Sequence, residues 1–228
     1  MGLNLEKLNV ARFNLGELVL TGVDQAVTLR WDAALRDAER TVGTTDERVG
    51  QLSRSYAQEL GAAGALAGGV AAVPGVGTTA MVGTAVAEIT WSTMRMGTLI
   101  LATGAVHGFT EAEVEERRLW VLSILAYGGS AGATLSKLTG TAGAGRGPNW
   151  TAQLPGEALS RLNRRVGRTL VTKFGAQRGA LLLGRVIPFG VGAVIGGTAN
   201  YKLTRGVATK ADDFFRTLSL PAPRAPTR

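Results

Sequence analysis

Apolar positions along this chain change character twice. Near the start they form an imperfect stripe amid charges: Leu5, Leu8, Leu15, Leu18, Val27 and Leu35 recur at helical spacings, predicting one or two amphipathic helices over 3–40. Thr44-Thr45-Asp46-Glu47 then has the form of a capping box, with Thr44 as cap and Glu47 three residues on. It predicts a helix from about Asp46 towards Gly61. From Ala62 to Ala87 no charged residue occurs, and Pro74-Gly75 sits in the middle of the run. Proline interrupts helical hydrogen bonding and glycine permits the turn, so a hairpin is expected. Arms of about a dozen residues reach roughly 18 Å, short of the ~30 Å hydrocarbon core of a bilayer. Such a hairpin either packs inside the protein or dips partway into a membrane.

The apolar pattern continues through Trp91, Met94, Leu99 and Leu101 to about Val106, where Gly108 is expected to end the helix. Thr110 and Glu113 suggest a second capping box, opening a helix charged at first and apolar from Leu119 to Leu135. Residues 139–156 are rich in Gly and predict a flexible loop. A basic amphipathic helix follows from about Glu157 to Phe174. Leu159, Leu162, Val166 and Leu170 form its apolar stripe; Arg161, Arg164, Arg165 and Arg168, with Lys173 beyond, form the opposite face. A second uncharged run, Val186–Tyr201, carries Pro188 near its start, and a final helix is expected through Val207, Ala211 and Phe214 to about Leu218. The last residues, 219–228, hold three prolines and two arginines and are expected to be a disordered tail. The reading is therefore all-α: a compact multi-helix bundle with Gly/Ala-rich hairpins, organised as N-terminal amphipathic helices (1–44), a helical domain (45–218) and the tail.

Composition sharpens this picture. Glycine is abundant, at 32 residues, while aromatics make up 6%. A core poor in rings must bring backbones close together. Glycines recur four apart at 64/68, 104/108, 128/132, 175/179 and 192/196, a spacing that places both on one helix face. There is no Cys and one His, His107, which removes disulfides, Cys-based zinc sites and His clusters. The net charge of +8, with 20 arginines and 5 lysines, favours anionic partners. Few aromatics and no recognised module argue against nucleic acid. The N-terminal residues lack an apolar stretch of signal-peptide type, so a cytoplasmic location, or one at the cytoplasmic face of the membrane, is expected.

Candidate chemistry is sparse. Gly75-x-Gly77-x-x-Ala80 matches a dinucleotide fingerprint by letter, but no strand pattern precedes it, so a hairpin turn is the better reading. No Gly-Lys occurs, which excludes a phosphate-binding P-loop. Glu88 and Arg95 are the first charges after the long apolar run. Two turns apart on one helix face, they could form a buried pair or a ligand-binding pair, or simply reach solvent. His107 beside a helix-ending glycine suits a dipole partner better than a catalytic base. Glu115, Glu116, Asp212 and Asp213 could in principle offer oxygens to a hard cation, though solvated faces are the simpler expectation. No catalytic residue, cofactor or metal is expected.

The Gly/Pro motifs themselves are distinctive. Val73-Pro74-Gly75-Val76-Gly77 has a counterpart in Ile187-Pro188-Phe189-Gly190-Val191-Gly192. Val166-Gly167-Arg168-Thr169-Leu170-Val171-Thr172-Lys173-Phe174-Gly175 is followed by Leu183-Gly184-Arg185-Val186-Ile187-Pro188, then by Val194-Ile195-Gly196-Gly197-Thr198. Together with the 62–87 run and the stretch from Arg95 to Gly108-Phe109, these strings resemble the EcsC protein family of bacteria over roughly residues 45–217. The chain departs from that pattern in having His107 before the glycine and Asn200 after Gly-Gly. The resemblance implies a non-enzymatic accessory protein linked to the membrane or to an ABC-transporter system, with no assigned reaction. Two other readings stay open on the residues alone: a soluble cytosolic helical protein that binds an acidic protein, and an enzyme built on Glu88 and Arg95.

Overall fold

The computed structural model describes residues 15–70, 78–139, 150–184 and 191–219, and every regular element among them is helical. The order is α1 (Leu15–Leu29), α2 (Trp31–Glu39), α3 (Thr45–Val70), α4 (Thr78–Val106), α5 (Val114–Tyr127), α6 (Ala131–Thr139), α7 (Gly156–Gly184) and α8 (Val191–Ser219). Short 3-10 turns occupy Gly128–Ser130 and Trp150–Gln153. The all-α bundle expected from the apolar pattern is the fold observed.

Several boundaries differ from the sequence reading in an instructive way. The Thr44 box forms: Glu47 accepts from the Thr44 backbone N–H at 2.8 Å and donates its own N–H to the Thr44 hydroxyl at 3.4 Å. However, α3 does not stop near Gly61. It runs on to Val70, and α4 extends unbroken from Thr78. The arms of the first apolar run are thus the ends of long helices, each about 40 Å by its residue count, rather than a separate short hairpin. The same fusion occurs at the other end, where the second apolar run and the expected final helix form one element, α8, and α7 extends ten residues past Phe174. Buried partners sustain these helices across glycines that would weaken an isolated peptide. The Thr110 box does not form. Helix α5 starts at Val114 with Glu113 as its N-cap, without a side-chain capping bond. The apolar stretch after Leu119 is split at Gly128, whose φ of +59° requires a residue without a β-carbon to adopt it easily.

The core gathers Val19, Val23 and Val27 of α1, Leu99–Ala102 of α4, Leu119–Leu122 of α5, the α7 stripe, and Phe214 and Phe215 of α8. Helices α1 and α2 pack mainly on α4 and share this core. Phe109, Trp120, Phe214 and Phe215 form an aromatic knot with ring centroids 5.2–5.6 Å apart, mostly edge-to-face. The stretch Val114–Thr139 is long and apolar enough to cross a membrane by length and composition, yet 61% of its most apolar window is buried. Its buried apolar residues belong to the core.

The most extensive helix contact is between α3 and α8, which run antiparallel: Asp46 meets Arg216, Leu60 meets Asn200, and Ala65 meets Gly197. A β-carbon on Gly197 would lie 3.1 Å from both the Ala65 β-carbon and the Gly61 carbonyl oxygen, so the seam depends on close backbone approach. Glycines do serve close packing, and of the four-residue pairs Gly128 and Gly132 both face α8, at Lys210 and Thr217. Gly104 faces the Phe215 ring, while Gly108 lies past the end of α4 at φ +89° rather than on a shared face. The α3–α8 register places the end of α3 and the start of α8 at the same end of the bundle. Pro74, Gly75, Gly77 and Pro188 lie outside the described residues. Gly184 is the last residue of α7, and Gly192 and Gly196 fall in the first turns of α8.

Candidate functional site

Helix α7 divides as its pattern requires. Leu159, Leu162, Val166 and Leu170 are buried against α5 and α1. Arg161, Arg164, Arg165 and Arg168 are exposed on the opposite side. These four stand three or four residues apart, so their stems form a diamond across two turns, about 10 Å long. Arg164 donates from Nη1 to the Ser160 hydroxyl at 2.8 Å, and Arg168 Nε donates to the Arg164 carbonyl at 3.4 Å. With Thr169 the four arginines line an open surface cavity whose walls, among the described residues, all lie on one face of α7.

What distinguishes this face is the clustering of four arginines with no neutralising acid among the described residues. Arg40 meets Asp37, Arg118 meets Asp24 and Glu115, and Arg216 meets Asp46 and Asp212, while Arg36, Arg54 and Arg205 are exposed singly, with no ion pair among the described residues. Among the described residues none of the four α7 arginines is paired with Asp or Glu, and α7 holds no acid after Glu157 in its first turn. Lys173 belongs elsewhere: its ammonium donates to the Ala126 carbonyl at 2.8 Å, in the last turn of α5, where a cation suits the helix dipole. The basic face is thus a quartet of arginines rather than a quintet.

The second candidate needs correction. Arg95 is buried and paired, but its carboxylate is Glu59 of α3, not Glu88. Nε donates to Glu59 Oε1 at 2.8 Å and Nη2 to Oε2, while Nη1 is buried without a hydrogen-bond partner. The guanidinium stacks 4.4 Å from the Tyr56 ring centroid, and the Tyr56 hydroxyl donates to Asp37 of α2 at 2.6 Å. Burial, with the Asp37 hydrogen bond, pushes the Tyr56 phenol far up. Seven residues along one helix separate Glu88 and Arg95 by about 10 Å, whereas an adjacent helix brings Glu59 into direct contact. The cluster ties α2, α3 and α4 together and lines none of the Arg-rich cavity.

The remaining polar candidates are occupied structurally. His107 Nε2 lies 2.8 Å from Asp212 Oδ1, and Asp212 also accepts from Arg216, which reaches Asp46. This chain fastens the end of α4 to α8 and α3. Glu115 accepts from Arg118 and Asn163, and Glu116 accepts from Thr151 at 2.5 Å. No group of three or more His, Asp or Glu among the described residues is placed to hold a metal ion. Asn200 is buried and donates to the Leu60 carbonyl across the α3–α8 seam at 3.4 Å. Sequence reasoning missed Asp37, Tyr56, Glu59, Thr151 and Asn163 because their partners lie 19 to 48 positions away, beyond any helical period. No family model, curated protein or solved structure matches the chain.

Proposed function

We propose that this chain is an EcsC-like accessory protein, without enzymatic activity of its own, that associates with anionic membrane surfaces through the basic face of α7. The observation that carries the reading is the quartet of exposed arginines without carboxylate partners among the described residues. The apolar face of α7 is consumed by the core. Contact is therefore electrostatic, at the headgroup level, and not insertion of an amphipathic helix. Each arginine near an anionic leaflet contributes about 1 kcal/mol at most, so four give useful but salt-sensitive binding. Arg168 precedes the end of α7 by 16 residues, about 24 Å of helix. One flat surface meets both the arginines and the apolar hairpin end only if α7 lies along it.

The test is co-sedimentation with liposomes. Binding to phosphatidylglycerol-containing but not to purely phosphatidylcholine vesicles is expected, weakened by salt and by combined Arg161, Arg164, Arg165 and Arg168→Glu. Equal recovery with both vesicle types would overturn the reading.

A further inference from the structure

We propose that the arginine quartet of α7 is a discrete site for a group bearing clustered phosphomonoesters, beyond being a diffusely positive surface. The inference rests on the anionic-surface reading above and names the chemistry that the face selects.

Three observations carry it. First, the quartet is uncompensated where compensation was available. Like charges three and four residues apart on a helix oppose one another, and the chain holds 17 acidic residues. None of those among the described residues pairs with the quartet. An incoming multivalent anion relieves that repulsion. Second, two of the side chains are partly fixed. The Arg164–Ser160 bond and the Arg168 Nε contact with the Arg164 carbonyl tie these stems to their own helix, reducing the ordering that binding must impose. Arg164 keeps Nη2 and Arg168 both terminal nitrogens for a ligand. Thr169, at the edge of the quartet, donates to the Arg165 carbonyl at 3.2 Å. Third, the face matches in valence. A guanidinium presents a planar fork suited to phosphate oxygens, and a phosphomonoester carries about −1.5 to −2 charges on three acceptor oxygens. Two such groups balance four arginines; a single phosphodiester, with one charge, does not.

The group could come from a lipid headgroup or from a soluble polyphosphate, and the test separates these sources. Titration calorimetry of the full chain with sodium tripolyphosphate is expected to show one site. Arg164→Gln/Arg168→Gln should weaken it at least tenfold, whereas Lys202→Gln/Arg205→Gln, which removes the same charge from α8, should change it less than twofold. Orthophosphate should bind at least tenfold more weakly. Equal losses in both double variants, or many weak events instead of one, would overturn the site. In the lipid arm, preferential sedimentation with phosphatidic acid vesicles over phosphatidylglycerol vesicles of matched charge, reversed by tripolyphosphate, identifies a lipid source. Tripolyphosphate binding without retention on either vesicle identifies a soluble source, so the site stands and the membrane reading falls. Retention on both vesicles alike with no tripolyphosphate binding refutes the site and leaves the membrane reading intact.

Discussion

Removing the charge of Glu59 while keeping its shape should expose how much the α3–α4 junction depends on Arg95. In Glu59→Gln the guanidinium, whose side chain is 11% exposed, loses the carboxylate that engages Nε and Nη2; Nη1 is already without a partner. Charge-assisted hydrogen bonds contribute about 1.5–3 kcal/mol, and breaking a fully buried pair costs roughly 3–5 kcal/mol. Glu59 itself is 39% exposed, however, so water screens part of the interaction. A coupling of about 1–2 kcal/mol follows. Arg95→Met also removes the stacking on Tyr56, but that loss appears in both arms of a Glu59→Gln/Arg95→Met cycle and cancels. Urea unfolding followed by circular dichroism measures each corner, provided the m-values agree. For a chain of this size each kcal/mol shifts Tm by about 2–4 °C. A parallel cycle with Glu88→Gln and Arg95→Met should give less than about 0.5 kcal/mol. Coupling to Glu59 below that value, or coupling to Glu88 equal to it, would refute the assignment.

Two further perturbations test the interior. Burial raises the Glu116 carboxyl above its ordinary range despite the Thr151 hydrogen bond, which acts in the opposite direction. The native state therefore holds this proton more tightly than the unfolded chain, and stability falls as pH rises through that window and stays reduced above it. Glu116→Gln keeps an acceptor for Thr151 and should be more stable than the parent at pH 7, the gain shrinking towards zero below about pH 4. An advantage that is constant with pH, or that grows in acid, in thermal melts from pH 3.5 to 7.5 would contradict this. Phe215→Ala empties the centre of the aromatic knot beside Gly104 and should cost about 3–5 kcal/mol; a loss under about 1 kcal/mol by urea unfolding would show that the knot is not central.

Local signals were readable where the interaction itself is local. The Thr44–Glu47 box spans three residues, and the α7 stripe repeats within two turns, so periodicity alone separated the buried leucines from the arginines. The hairpins were half readable. Pro-Gly and the uncharged runs marked where helices must part, but not that the arms continue into the flanking helices, since that continuity comes from packing on α8 and α4. Arg95 could be recognised as a buried charge from its place after an apolar run, yet its carboxylate sits 36 positions back on another helix. The glycine spacing marked Gly128 and Gly132, which both meet α8, but not Gly61 with Gly197, whose approach joins different helices and has no period.

The α3–α8 seam has a consequence for the order in which this molecule can form. Asn200 and Leu60 are 140 positions apart, and Asp46 and Arg216 are 170 apart. At synthesis rates of about 5–20 residues per second, α3 waits about 7–34 s for the helix that covers it. During that interval its glycine-lined flank and the uncharged stretch after it have no mate. Contacts of such range close large loops and slow the search for the native arrangement. The seam that completes the bundle is thus also where a growing chain is most open to aggregation, to capture by a chaperone, or to premature adsorption on a bilayer.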